Sequence, residues 1–203
     1  ATAILLWWVG DPEQALKKIR EALGLAHTLG HPYSTGWVFI CTAWFHQLRQ
    51  EPQEVKELAE AVIVLSHEQG FQFWLAWGTM LQGWALAMQG QGEEGIVQIH
   101  QGLSAARTME TEIGRTYFLA LLAEAYGHRG QNQEGSHALT EALDFMEKTG
   151  ERLYEAELYR LKGELTLQRE ARGWRLETSS PSPQASSLKP LVSNGAEREA
   201  EEC

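Results

Sequence analysis

Residues 83–103 read GWALAMQGQGEEGIVQIHQGL, and three glycines in that stretch decide the fold. Gly83 sits inside an apolar helical run that closes at Gly90. Gly95 and Gly102 follow in a second helical run, seven residues apart and so on one face, with Ile99 between them. A glycine inside a helix costs about 1 kcal/mol relative to alanine. Three at matched phases call for a packing reason, and two antiparallel helices in close approach supply one.

Stepping outward by 40 residues finds the same pattern. Ala43, Ala123 and Gly163 share the column of Gly83; Ala15, Val55 and Gly135 that of Gly95; Ala22, Val62 and Ala142 that of Gly102. Blocks begin at Asp11, Glu51, Gln91 and Gln131, turn at Gly30, Gly70, Glu110 and Gly150, and close on Gln50, Gly90 and Gly130. A period of this length marks a stacked array of helix hairpins. Asp11-Pro12 and Glu51-Pro52 suit helix starts, where proline's missing N–H costs nothing and the acid meets the positive end of the dipole. Ala15, Leu16, Ile19, Ala22, Leu23 and Ala26 recur at helical spacing. The pattern predicts helices over 12–29, 33–49, 52–69, 72–89, 92–109, 112–129, 132–149 and 152–171, with 1–9 the end of an earlier one. The expected fold is all-α, an α-solenoid of antiparallel helix pairs over residues 1–173. Residues 174–195 are expected to be a disordered linker, because TSSPSPQASSLKPLVSNG at 178–195 has few large apolar groups to offset its ordering entropy. Residues 196–203 turn helical again, as the start of a further, truncated helix.

The hairpin with these small positions resembles the tetratricopeptide repeat (TPR). Gly83, Gly95 and Gly102 fall on that motif's small positions and Ile99 on its large apolar one, while Thr79 replaces its first-helix Trp and Tyr126 keeps its aromatic position. The usual TPR period is about 34, so 40 implies longer helices or turns. The stretches at 81–95, 117–127 and 149–167 are also similar to helical repeats of large bacterial signalling proteins. Those proteins join the repeats to signalling ATPase modules and, in many cases, to adenylate/guanylate cyclase or LuxR-type DNA-binding domains. This resemblance implies a regulatory role, with neighbouring domains of a longer chain as partners.

Composition narrows the function. The 27 acidic and 17 basic residues leave a net charge of -10, which argues against nucleic-acid binding. Cys41 and Cys203 do not make a disulfide framework, so a cytoplasmic setting is expected. The opening ATAILLWWVG is too short to span a bilayer and lacks a signal peptide's basic start, so no membrane association is expected. The chain opens within an apolar run without Met, which suggests a piece of a longer protein. Repeat ends that expose Trp7 and Trp8 would promote self-association.

Catalytic signatures are missing. No GxxxxGK[ST], GxSxG, HExxH or CxxC occurs, and no catalytic residue, cofactor or metal site is predicted. His27 and His31 are four apart, but His31 precedes Pro32 in a turn, which spoils a shared helical face. Carboxylate pairs such as Glu93-Glu94 read as solvated helix faces.

The aromatic columns carry the functional expectation. Trp37, Trp77, Tyr117 and Glu157 share one repeat position; Trp44, Trp84, Glu124 and Glu164 share another, seven residues on; Ile40, Met80 and Arg160 lie between. By the TPR resemblance these residues look into the concave surface, forming a wall that runs from aromatic to charged. Aromatic faces of this kind are frequent binding hot spots, although Trp side chains also fill gaps between helices. The expected function is recognition of a protein or peptide partner within a signalling protein, not catalysis. Alternatives are a small-molecule sensor, for a carbohydrate for instance, and a structural spacer between domains.

Overall fold

The computed structural model describes residues 2–179. The helices are α1 (Thr2–Trp8), α2 (Pro12–Leu29), α3 (Pro32–Leu48), α4 (Pro52–Gln69), α5 (Gln72–Met88), α6 (Gly92–Thr108), α7 (Arg115–His128), α8 (Asn132–Thr149) and α9 (Glu155–Ser179). No strand occurs among the described residues. Successive helices pack as antiparallel neighbours, and alternate ones (α3, α5, α7, α9) also touch, which is the geometry of an α-solenoid.

The turns explain why the period is so regular. Backbone conformations of positive φ fall every twenty residues: Gly10, Gly30, Gln50, Gly70, Gly90, Glu110, Gly130 and Gly150. At Gly30, Gly70 and Gly150 the backbone N–H bonds to the carbonyl four residues back, the αL stop of a helix. Pro12, Pro32 and Pro52 each open a helix, and Asp11 caps α2 by accepting from the Gln14 N–H at 3.1 Å.

The small columns pack as the sequence requires at α5 and α6. A Cβ added to Gly83 would lie 2.6 Å from the Gly95 carbonyl oxygen, and one on Gly102 would lie 2.8 Å from that of Ala76. Glycine is what allows these two backbones to meet. The main core runs from α3 to α9, with Trp84, Met80, Leu81, Ile99, Leu139 and Leu158 buried along it. A smaller cluster of Ala3, Ile4, Ala15, Ile19 and Phe45 joins α1 and α2 to α3.

Helices α7 and α9 differ most from the predicted boundaries. Helix α7 starts at Arg115, not 112, because Gly114 has φ 75° and closes a turn there. A side chain at 114 would meet the Trp77 ring at 2.8 Å, so that ring occupies the space a helix-forming residue would need. Helix α9 starts at Glu155, not 152, and runs past the expected stop at Gly173 to Ser179. One glycine costs a helix only about 1 kcal/mol, too little to stop it at Gly173. Residues 174–179 are therefore helix where a linker was expected. The rest of that linker, 180–195, and the helix expected at 196–203 lie outside the described residues.

Candidate binding groove

The columns that the repeat aligns are not all on a surface. Ile40, Trp77, Met80, Trp84 and Tyr117 are buried in the main core and offer no face to a ligand. The physical reason is curvature. The array curls tightly enough that repeat one reaches repeat four, and the inner side chains fill the space between. The Trp44 ring stacks on Tyr154 at 6.3 Å and lies 5.3 Å from Tyr117, while Trp8 reaches Tyr154 at 6.5 Å. Trp37 is 41% exposed but packs against Trp74 at 5.5 Å and borders a separate cavity with α1 and α2.

Hydrogen bonds lock this curl and account for the change from Trp to Glu along the second column. The Trp84 indole N–H donates to the Glu124 carboxylate at 2.7 Å, one repeat further on. The Gln50 amide donates to the other Glu124 oxygen at 3.1 Å. A buried indole N–H gains from an acceptor; for Trp84 the next member of its own column provides it, whereas the buried N–H groups of Trp74 and Trp77 have none. For Trp44 the next member is Trp84, which cannot accept; its N–H donates instead to the Tyr154 hydroxyl at 2.7 Å. The Tyr117 hydroxyl donates to Gln47 at 3.3 Å.

Beyond this filled interior a groove of ≈ 760 Å³ remains open. Its floor includes Ala120, Leu121 and Glu124 from α7; Trp7, Trp8, Gln47 and Gln50 form one wall; Tyr154, Glu157, Arg160 and Glu164 form the other. Of the expected concave residues, Glu124, Glu157, Arg160 and Glu164 thus line the groove. Trp44 stands half-buried behind it, covered by Trp8 at 6.2 Å. Trp7, Trp8, Gln47, Gln50 and Tyr154 were not foreseen there. A signal for two of them existed: continuing the face of 37, 40 and 44 by three residues reaches Gln47, and Trp7 is its repeat mate. Of the pair expected to be exposed at the repeat end, Trp7 packs edge-on against Phe45 at 5.7 Å, while Trp8 is exposed.

The electrostatics differ from floor to wall. Burial pushes the Glu124 carboxyl above the usual carboxylate range, against the lowering effect of its Trp84 and Gln50 donors; Glu157 adds to the rise and Arg160 opposes it. Burial likewise pushes up the Tyr117 and Tyr154 hydroxyls. Arg160 is held by Glu157 through two bonds, at 2.8 and 2.7 Å, and by Glu164 at 2.9 Å. Those bonds, Glu157's first, raise the guanidinium pKa further.

Among the described residues, no three His, Cys, Asp or Glu side chains gather to hold a metal ion. His31 caps α3 instead, its ring nitrogen accepting from the Ser34 N–H at 3.3 Å. Cys41 is buried, and burial pushes its thiol up. No described helix is long and apolar enough to cross a membrane.

No family model and no curated protein matches the sequence. Among solved structures, the chain is similar to the nearly identical TPR-like repeats of a Podosopora anserina protein assigned as a kinesin light chain. The identity is 21% and the TM-score 0.54, over 87% of this chain and 86% of that one. A substituted form of the same protein matches with 20% identity and TM-score 0.54, over 87% and 85%. At this identity the likeness speaks for the fold, a TPR-like α-solenoid.

Proposed function

We propose that this TPR-like solenoid is a recognition segment that binds an extended stretch of a protein partner in the groove between Trp8 and Glu164. The observation that carries this reading is the groove itself. It stays open, at ≈ 760 Å³, where the rest of the concave face is filled, and it combines aromatic, amide and charged side chains. Pockets of this size and mixture are typical of ligand sites. The resemblance to bacterial signalling proteins supports a cytoplasmic regulatory arm, whose bound partner biases a neighbouring ATPase or output domain. Nothing in the groove supports catalysis: its half-buried carboxylate Glu124 is already engaged by two donors, and Glu157 and Glu164 by Arg160.

The alternatives draw less support. A carbohydrate sensor needs stacking platforms, and with Trp77 and Trp84 buried the groove offers Trp8 and the half-buried Trp7, set among carboxylates and a guanidinium. A plain spacer needs no groove. The test is selection of short displayed peptides on the protein, followed by counter-screening on Ala156→Trp, which fills the groove from an exposed lining position. Selected peptides are expected to lose binding to that variant. Equal binding to both forms would overturn the groove reading.

A further inference from the structure

We infer that the groove takes a basic side chain, arginine or lysine, from the partner segment, with Glu124 as its counter-charge and Trp8 beside its apolar stem. This rests on the groove reading above and adds the chemistry of the occupant.

Charge balance is the first argument. Glu124, Glu157, Arg160 and Glu164 are the charged side chains that line the groove, three carboxylates against one guanidinium. Arg160 is already committed to both Glu157 and Glu164. Glu124 therefore has only the distant charge of Arg160 and no cation bonded to it. Its two hydrogen-bond partners, Trp84 and Gln50, are neutral donors. A carboxylate offers about four lone-pair sites, so acceptor capacity remains for a further donor. Withdrawn from water without a counter-charge, the ionised form is disfavoured; an incoming cation removes that penalty. An anionic occupant would meet three carboxylates and would have to strip Arg160 from its partners.

The surrounding surface is the second argument. Trp8 is 39% exposed and, with the half-buried Trp7, puts aromatic rings along the approach to Glu124. Aromatic rings attract cations, guanidinium most often among side chains, and the long stems of arginine and lysine cover apolar surface while the charged head stays polar. Gln47 and Gln50 add amide groups of the kind that fix a ligand's orientation.

The test titrates acetyl-arginine amide, acetyl-lysine amide, acetyl-norleucine amide and spermidine into the protein. Proton–nitrogen NMR follows the indole N–H signals of Trp8 and Trp84. The basic amides are expected to shift both signals with Kd on the order of 1 mM, and the uncharged norleucine amide to bind about tenfold more weakly. Glu124→Gln is expected to weaken the arginine amide about tenfold and leave the norleucine amide unchanged. Ala156→Trp repeats the loss without touching the Trp84–Glu124 bond, should Glu124→Gln fold poorly. Norleucine amide binding as well as arginine amide overturns the basic-side-chain assignment while leaving the groove as a docking site. Spermidine binding more tightly than either basic amide overturns the peptide source. Shifts that survive both substitutions, or no shift at either indole, overturn the assignment; peptides selected on the groove would separate that result from failure of the groove reading itself.

Discussion

The α5/α6 hairpin and helix α9 carry the same repeat signature and use it differently. In α5 and α6, Gly83 and Gly95 face each other, and a Cβ on Gly95 would lie 2.7 Å from the Ala87 backbone nitrogen. In α9, Gly163 holds the column of Gly83, yet an added Cβ would meet nothing within 4 Å. A small residue is a packing device only where a second backbone arrives to use it. The comparison breaks if both glycines respond alike to alanine. Gly95→Ala is expected to cost about 3 kcal/mol, because backbone atoms cannot step aside as flexible side chains can. Gly163→Ala is expected to stabilise α9 by up to about 1 kcal/mol, the helix-propensity difference. Urea denaturation of the two variants measures both. A small loss at Gly95 would mean that the hairpin opens easily.

Trp84 and Glu164 extend the comparison, since they too share a column. Trp84 is fully buried and donates to Glu124; Glu164 is about half exposed and pairs with Arg160. Trp84→Phe is expected to cost about 2–3 kcal/mol through lost volume and a stranded carboxylate acceptor. Glu164→Gln should stay within about 0.5 kcal/mol, as surface ion pairs do. Glu124 also makes a pH signature. Its folded pKa is raised, so the folded state holds the proton longer than the unfolded one. Its contribution to stability is therefore lost as pH rises from the ordinary carboxylate range through the raised value. Glu124→Gln should remove that decline, so the variant gains on the parent as pH rises. Parallel stability–pH curves for the two proteins would refute it.

How far the sequence carries can be read from these same residues. The positive-φ positions, including the non-glycines Gln50 and Glu110, fall on the turns the period marks, because a helix stop is a local event. The small columns were legible for the same reason, as contacts within one hairpin. The inner surface was not. Trp44 to Tyr154 and Gln50 to Glu124 join residues far apart along the chain, and those contacts depend on how tightly the array curls. A column records what recurs every 40 residues; it does not record the curvature that decides whether its side chains face a groove or fill it. Gly114 makes the point in small: its column holds Ser34 and Trp74 inside helices, while Gly114 and Tyr154 stand just before α7 and α9, a change that the period alone does not record.

The turns reverse the comparison. The central hairpin ends on a strained residue: Glu110 follows α6 at φ 53°, where α8 ends on Gly150 at φ 72°. A residue with a Cβ costs about 1–2 kcal/mol in that left-handed conformation, and glycine avoids the clash while losing more chain entropy on folding. Glu110→Gly should therefore raise stability by about 1 kcal/mol, and Gly150→Ala should lower it by a similar amount. Gln50 is the poorer test, because its amide also donates to Glu124. A rise in Tm for Glu110→Gly would place the remaining strain of the best-packed hairpin in its turn. An unchanged Tm would mean that the loop from 110 to 114 relaxes around either residue, and that Gly114 alone sets the late start of α7.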